Sequence, residues 1–259
     1  MNIVVLVKQV PDTEAERTLR PEDSTLDREA VEPVINENDE FAIEQALRLK
    51  DDQGGRVTVL TLGPEQAVEA LRRALAMGAD EAVHVCDPAL HGACAVQTAT
   101  VLATALDTVE WDLVLAGSEA TDSRMAVLPA MLAEVTGAAQ LTWARRVRVD
   151  GASVTVERVT ADGYDVVAAE LPAVVSVVAK INEPRYPSFR GVMAAKTKPV
   201  RRLGLAGLGL SGDAVGLAGA TSEVVSFEIA PPRPSGQIVD DDGSGGLKIA
   251  EFLAARGLV

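Results

Sequence analysis

The stretch "DLVLAGSEATDSRMAVLPAML" (Asp112–Leu132) decides the fold. Residues 112–117 are a short apolar run of the kind that fills a β-strand covered on both faces, and a helical pattern runs from about Arg124 to Val135. The loop "GSEATDSRMAVLPAML" (117–132) therefore leaves the carboxyl end of a parallel strand and opens a helix. In open α/β sheets that is where nucleotides bind, because unpaired backbone N–H groups and the helix dipole favour phosphate. Gly117 permits a close turn, and Thr121, Ser123 and Arg124 are candidate donors to phosphate oxygens. The plain alternative is an ordinary strand-to-helix connection.

The neighbouring sequence repeats the alternation. "NIVVLVK" (2–8), "VTVLTLG" (57–63) and "EAVHV" (81–85) are strand-like. Between them, 36–50 places Ile43, Ala46 and Leu47 on one helical face, with Asn36 and Asp39 as cap and N3 partner. Residues 64–77 begin at Pro64, align Val68, Leu71 and Leu75, and stop at Gly78; a third helix spans Cys94–Leu106. Strand alternating with helix implies an open, mostly parallel sheet with right-handed crossovers, a Rossmann-like α/β fold. After residue 140 the pattern becomes polar/apolar alternation with turns at Asp150-Gly151 and Asp162-Gly163, which predicts an antiparallel extension running through "LPAVVSVVA" (171–179). Residues 1–200 thus read as one α/β domain. Residues 201–259, including Gly/Pro/Asp-rich 231–246, read as an arm ending in a short helix near Leu247–Ala255.

A formal charge of −14 argues against general nucleic-acid binding. No apolar run reaches the ~18 residues of a membrane span, no signal peptide is visible, and two cysteines in no metal or redox spacing suggest a reducing cytoplasmic setting. Gly207, Gly209 and Gly212 satisfy G-x-G-x-x-G, but without a preceding strand or a convincing helix they read as linker. "DDDGSGG" (240–246) lacks the alternating ligands of a calcium loop and reads as a solvated turn. His84 and His91 have no second ligand or nucleophile at useful spacing and read as structural. No catalytic acid, base or nucleophile stands out, which favours a binding or carrier role.

One segment breaks the acidic pattern. Lys180–Arg202 holds seven Lys/Arg against one Glu, a local +6 that leaves −20 on the rest of the chain. Its cations are threaded with Pro184, Tyr186, Pro187, Phe189 and Met193, which a solvated charged face does not need.

"LVKQVPDTE" (6–14), "ALAMGADEAVHV" (74–85), "LVLAGSEATD" (113–122), "LPAVVSV" (171–177) and above all "INEPRYPSFRGVMAAK" (181–196) resemble the β subunit of electron transfer flavoprotein, close to the bacterial FixA-type members. The resemblance implies a heterodimer whose α subunit holds most of a redox-active FAD. It also implies an AMP pocket in the β subunit, or a second FAD there in electron-bifurcating relatives. The pocket falls on Leu6, Asn36, Glu37, Asn38, Asp39, Leu62, Gly117, Thr121, Asp122, Ser123, Arg124, Met125 and Ala126. Glycines commonly follow the Thr-Asp pair in this family, and here Ser123 to Ala126 replace them, removing the permissive φ of a phosphate cradle. On the residues alone, Asn36 is also a candidate for a base or ribose edge. The resemblance makes 181–199 a recognition loop for flavin dehydrogenases such as acyl-CoA dehydrogenases, with Phe189 as apolar anchor, Arg185, Tyr186, Arg190 and Met193 around it, and Arg185, Arg190, Lys196 and Lys198 steering. It implies onward transfer to a quinone-linked oxidoreductase, an arm packed on the α subunit, and Lys8–Thr13 near the flavin edge. The competing reading is a stand-alone adenine-nucleotide sensor, which leaves the basic segment unexplained.

Overall fold

The computed structural model describes residues 1–232, 235–236 and 238–259. In chain order the elements are β1 (Asn2–Leu6), β2 (Gln9–Pro11), β3 (Pro33–Ile35), α1 (Glu37–Gln53), β4 (Arg56–Leu62), α2 (Val68–Met77), β5 (Glu81–Val85), α3 (Ala95–Leu106), β6 (Leu113–Gly117), α4 (Leu128–Thr136), β7 (Ala139–Asp150), β8 (Ser153–Thr160), β9 (Gly163–Glu170), β10 (Ala173–Val177), α5 (Phe189–Ala195), β11 (Val200–Leu203), α6 (Gly216–Gly219) and α7 (Gly245–Ala255).

Nine strands form one sheet in the order β11-β5-β4-β1-β6-β10-β7-β8-β9, and β2 with β3 forms a separate antiparallel ribbon. The strands from β11 to β7 pair in parallel; only β8 and β9 are antiparallel. Alternate residues of β1 explain why the sheet is covered twice. Ile3 and Val5 join the core beneath α1 and α2, while Val4 and Leu6 join the one beneath α3 and α4. In α2 the fully buried Leu71 and Leu75 contribute roughly 1.5–3 kcal/mol each. Among the described residues no helix is long and apolar enough to cross a membrane.

Four expectations change. Residues 173–177 do not continue the antiparallel extension. All five are buried, and they pair in parallel with both β6 and β7, because a strand inserted between two others must be apolar on both faces. Residues 200–203 form an edge strand on β5, so a strand does precede the G-x-G-x-x-G triplet. Beyond this strand lie two short 3-10 turns, Leu205–Leu208 and Gly212–Ala214, and Gly209 caps the first at φ +69°. Leu205, Leu208 and Val215 are buried in the α3/α4 core, so the first compact unit runs from Met1 to Val225 and the remainder from Ser226 to Val259. Residues 201–225 therefore belong with the sheet and not with the arm. Finally, α4 begins at Leu128, because Arg124 and Ala126 take φ +50° and +56° and cannot lie in a right-handed helix.

In the second unit, Asp241 accepts from the N–H groups of Gly243 and Gly245 (2.9 Å each), and Asp242 accepts from Ser244, a turn that leads into α7. The linker reading of residues 233, 234 and 237 lies outside the described residues.

Candidate functional site

The strand order reverses direction at one place. From β1 the chain moves outward through β4 and β5, and from β6 it moves the other way through β10, so a crevice opens between β1 and β6 at their carboxyl ends. Its rim is the N-terminus of α1 and the loop 118–127. Gly117 ends β6 there, and an added Cβ would lie 2.7 Å from the Cβ of Asn38, so only glycine lets α1 approach this strand.

Asn36 and Asp39 bind α1 to the loop. The Asn36 side chain makes no helix cap; its Nδ2 donates to Asp39 Oδ1 (2.9 Å) and to the Glu119 carbonyl (3.0 Å), and its Oδ1 accepts from the Thr121 N–H (3.0 Å). With its amide so engaged and buried, Asn36 braces α1 against the loop. Asn38 also donates to the Glu119 carbonyl (3.0 Å). Asp39 is buried and accepts from the backbone N–H of Lys8 (2.8 Å) and of Gly117; burial pushes its carboxyl up to about 7 against these donors. Glu37 is exposed.

Asp122 sits on the far side. Its side chain is 1% exposed and takes Lys8 Nζ at 2.8 Å and Arg28 Nη2 at 2.8 Å. Burial raises its pKa, but the two cations outweigh that and hold the carboxyl below the usual range. Desolvation lowers the Lys8 pKa while Asp122 pulls the other way.

Past Asp122 the N–H groups of Ser123 and Arg124 both return to the Ala120 carbonyl, closing a tight turn. Those of Met125, Ala126 and Val127 take no partner among the described residues. Ala126 takes φ +56° and Val127 is right-handed (φ −99°, ψ −23°), so these unpaired N–H groups lie directly before α4, whose N-terminus favours negative charge. Thr121 Oγ1 is buried without a partner. A buried hydroxyl lacking a partner and unpaired N–H groups in the same loop fit a ligand rich in acceptor oxygens. The positive φ of Arg124 and Ala126 costs about 1–2 kcal/mol for each residue.

The remaining expected lining is peripheral. Leu6 and Leu62 end their strands at the crevice, but both side chains turn into the α3/α4 core. Ser123, Arg124 and Met125 are exposed. Arg28 and Glu119 were not legible: Arg28 lies 94 residues from Asp122, without any periodicity that could link them.

The basic segment forms a second feature. Tyr186 is 90% and Phe189 84% exposed, and Met193 is half-exposed. Phe189 opens α5, which Ser188 caps by accepting from the Gly191 N–H (3.0 Å). Beneath it, the buried Glu44 of α1 takes Arg185 Nε at 2.7 Å, Arg185 Nη2 at 3.2 Å, the Arg185 N–H at 3.1 Å and Arg48 Nε at 2.8 Å, while Asp51 takes Arg185 Nη2 at 3.0 Å. Arg185 is thus an internal anchor and not a free steering charge, because a carboxylate buried in α1 demands a counter-charge. Lys198 likewise donates to the Leu75 and Ala79 carbonyls at the end of α2. Arg190 and Lys196 are exposed and have no ion-pair partner among the described residues.

His84 Nε2 faces the carbonyls of Gly63 and Pro64 (3.1 Å each), both acceptors, so it carries the proton; burial lowers its pKa, and the role is structural.

The sheet defines the class: an open, doubly wound α/β protein whose strand order reverses between β1 and β6. The family profile described as electron transfer flavoprotein domain matches residues 23–207. Over its whole length the chain is 49% identical to the electron transfer flavoprotein subunit beta of Mycobacterium tuberculosis, covering 99% of that protein. It is 38% identical to the subunit of the same name from Clostridium acetobutylicum, with 93% of this chain and 92% of that protein covered. It is 36% identical to the caffeyl-CoA reductase-Etf complex subunit CarD of Acetobacterium woodii, with 92% of each covered. The chain belongs to the electron transfer flavoprotein family, on the side of its β subunits.

Proposed function

We propose that this chain is the β half of a heterodimeric electron transfer flavoprotein that takes electrons from a flavin dehydrogenase, of the acyl-CoA dehydrogenase kind, and delivers them to a quinone-linked oxidoreductase. FAD, shared with an α subunit, would supply the electron-accepting group. This chain's own residues would do three other things. The crevice at β1/β6 would hold AMP, with the N–H groups of 125–127 toward its phosphate and Thr121 Oγ1 toward an acceptor oxygen. The segment Lys8–Thr13 would border the flavin edge. Phe189 and Tyr186, on their anchored mount, would seat in an apolar hollow of the dehydrogenase. The unit 226–259, whose helix α7 exposes Leu247, Ile249 and Phe252, would pack on the α subunit. No side chain need act as acid, base or nucleophile, so we assign a carrier and not an enzyme.

The observation that carries the docking assignment is the exposure of Phe189 on a short helix tied to α1 and α2. Two large rings standing in water are costly unless something covers them. Phe189→Ala should slow electron uptake from the dehydrogenase at least about tenfold while leaving flavin content and assembly intact, in keeping with the loss of a central aromatic contact. Loss of assembly together with uptake would make Phe189 structural. Co-expression with the α subunit should give a yellow heterodimer from which denaturation releases one flavin and one AMP. Two flavins would place FAD in the crevice, and a colourless homodimer binding ATP would mark a nucleotide sensor.

A further inference from the structure

Between β2 and β3 the chain makes an excursion, residues 12–32, whose stem is closed by the Asp12 N–H on the Glu32 carbonyl (3.0 Å). Loops of this length without extended secondary structure are uncommon in compact domains and are commonly functional. This one is preformed. The Arg20 N–H donates to the Thr25 carbonyl (2.8 Å), the Asp27 N–H to the Thr18 carbonyl (2.9 Å), and Leu19 bridges Leu26, with Ser24 at the tip at φ +58°. The result is a miniature hairpin.

It is held at both ends by polar side-chain contacts to distant parts of the sheet. At the tip, Asp23 Oδ2 meets His91 Nε2 at 2.7 Å, and Asp23 Oδ1 accepts from the Thr25 hydroxyl (2.7 Å). At the base, Arg28 Nη2 meets Asp122 at 2.8 Å. His91 follows β5 and Asp122 follows β6, and the order β5-β4-β1-β6 sets those strands three spacings apart, ~14 Å at ~4.8 Å per strand. Five residues from Asp23 to Arg28 span at most ~17 Å. The hairpin therefore links the loop after β5 to the loop after β6, and Arg28 closes on Asp122 at the β1/β6 crevice, where Lys8, which follows β1, already holds the same carboxylate.

We infer that residues 12–32 are a strap over the crevice, pinned by Arg28 to Asp122 and by Asp23 to His91, which must lift before the crevice exchanges its contents. The identity of what passes beneath it rests on the proposed nucleotide role of the crevice; the strap itself does not.

The test uses the full chain carrying Cys94→Ser, with Cys86 buried and silent, and Thr121→Cys as a thiol reporter inside the crevice. Labelling by a water-soluble disulfide reagent should be slow in this background. Adding Arg28→Ala should speed it about tenfold, since opening then costs one hydrogen-bonded ion pair less. His91→Ala should give a smaller rise, and Arg28→Lys should stay near the background. Hydrogen exchange across 12–32 should accelerate in parallel. If exchange accelerates but labelling does not, the segment covers nothing and the inference falls. It falls equally if neither rate changes in the two alanine variants. Should Arg28→Ala fail to fold, the His91→Ala pair of rates decides. Nucleotide content is measured separately by denaturing extraction, so an empty crevice with faster labelling would refute the nucleotide and keep the strap.

Discussion

Replacing Glu44 by Gln should unseat the aromatic mount. The side chain of Glu44 is 4% exposed and accepts four N–H groups, three of them from Arg185. Glutamine keeps the volume, cancels the charge and turns one acceptor oxygen into a donor that faces guanidinium hydrogens. Breaking a buried pair costs about 3–5 kcal/mol, and hydrogen bonds to charged groups carry about 1.5–3. Arg185 is 37% exposed and keeps Asp51, which sets the loss at the lower end, about 2–3 kcal/mol. For a chain of this size that lowers Tm by roughly 4–12 °C. The pH dependence has a definite sign. Burial raises the Glu44 pKa, but Arg185 and Arg48 outweigh it, so the folded value lies below the unfolded one. The stabilisation is therefore complete above the ordinary carboxylate range and is lost as pH falls through the folded value; Glu44→Gln should lack that acid-side loss. Urea unfolding of the wild type, Glu44→Gln, Arg185→Gln and the double variant closes the cycle. A coupling energy under about 0.5 kcal/mol, the usual limit of additivity for independent sites, would refute the anchor.

Three other substitutions probe the same framework. Ala126→Gly should raise stability by about 0.5–1 kcal/mol, since relief of the left-handed strain exceeds the added chain entropy; unchanged urea midpoints would mean the residue carries no strain. Asp39→Asn should cost about 1–3 kcal/mol by turning an amide toward backbone donors. With the folded carboxyl pushed up to about 7, the unfolded chain loses its proton first, so this group makes stability fall as pH rises from about 4 to 7, and Asp39→Asn should flatten that slope. Gly191→Ala puts a methyl group on the carbonyl of Ala76 and should shift α5 from α2 at a cost of about 1–3 kcal/mol, read by thermal unfolding; no change would show that the two helices are not in close contact.

The sequence was legible where local pattern and burial agree. Strand β6 is a continuous apolar run, β1, β4 and β5 are rich in β-branched residues, and helices α1 and α2 carry a clear period, so the parallel half of the sheet and the loop at residue 117 could be placed. Legibility failed where long-range pairing decides. "AVVSV" (173–177) is as apolar as β6, but nothing local says that it inserts between β6 and β7. "VRRL" (200–203) looks like part of a charged loop because an edge strand can keep its arginines in solvent, where Arg201 reaches Thr108 and Arg202 reaches Glu65. The sequence places the start of α4 too early because Arg124 to Val127 have ordinary helical propensity, whereas the tight turn onto Ala120 comes with positive φ at Arg124. Arg185 reads as a steering charge in the sequence because Glu44, 141 residues away, gives no sign there of being buried.

The internal use of cations around α5 bears on ionic strength. Arg185 is neutralised by Glu44 and Asp51, and Arg202 by Glu65, so the local excess that a visitor feels is well below the formal +6. Added salt should then slow capture of a docking protein only modestly, through Arg190 and Lys196, and should leave the lifetime of the docked state almost untouched, since rings and not charges would hold it.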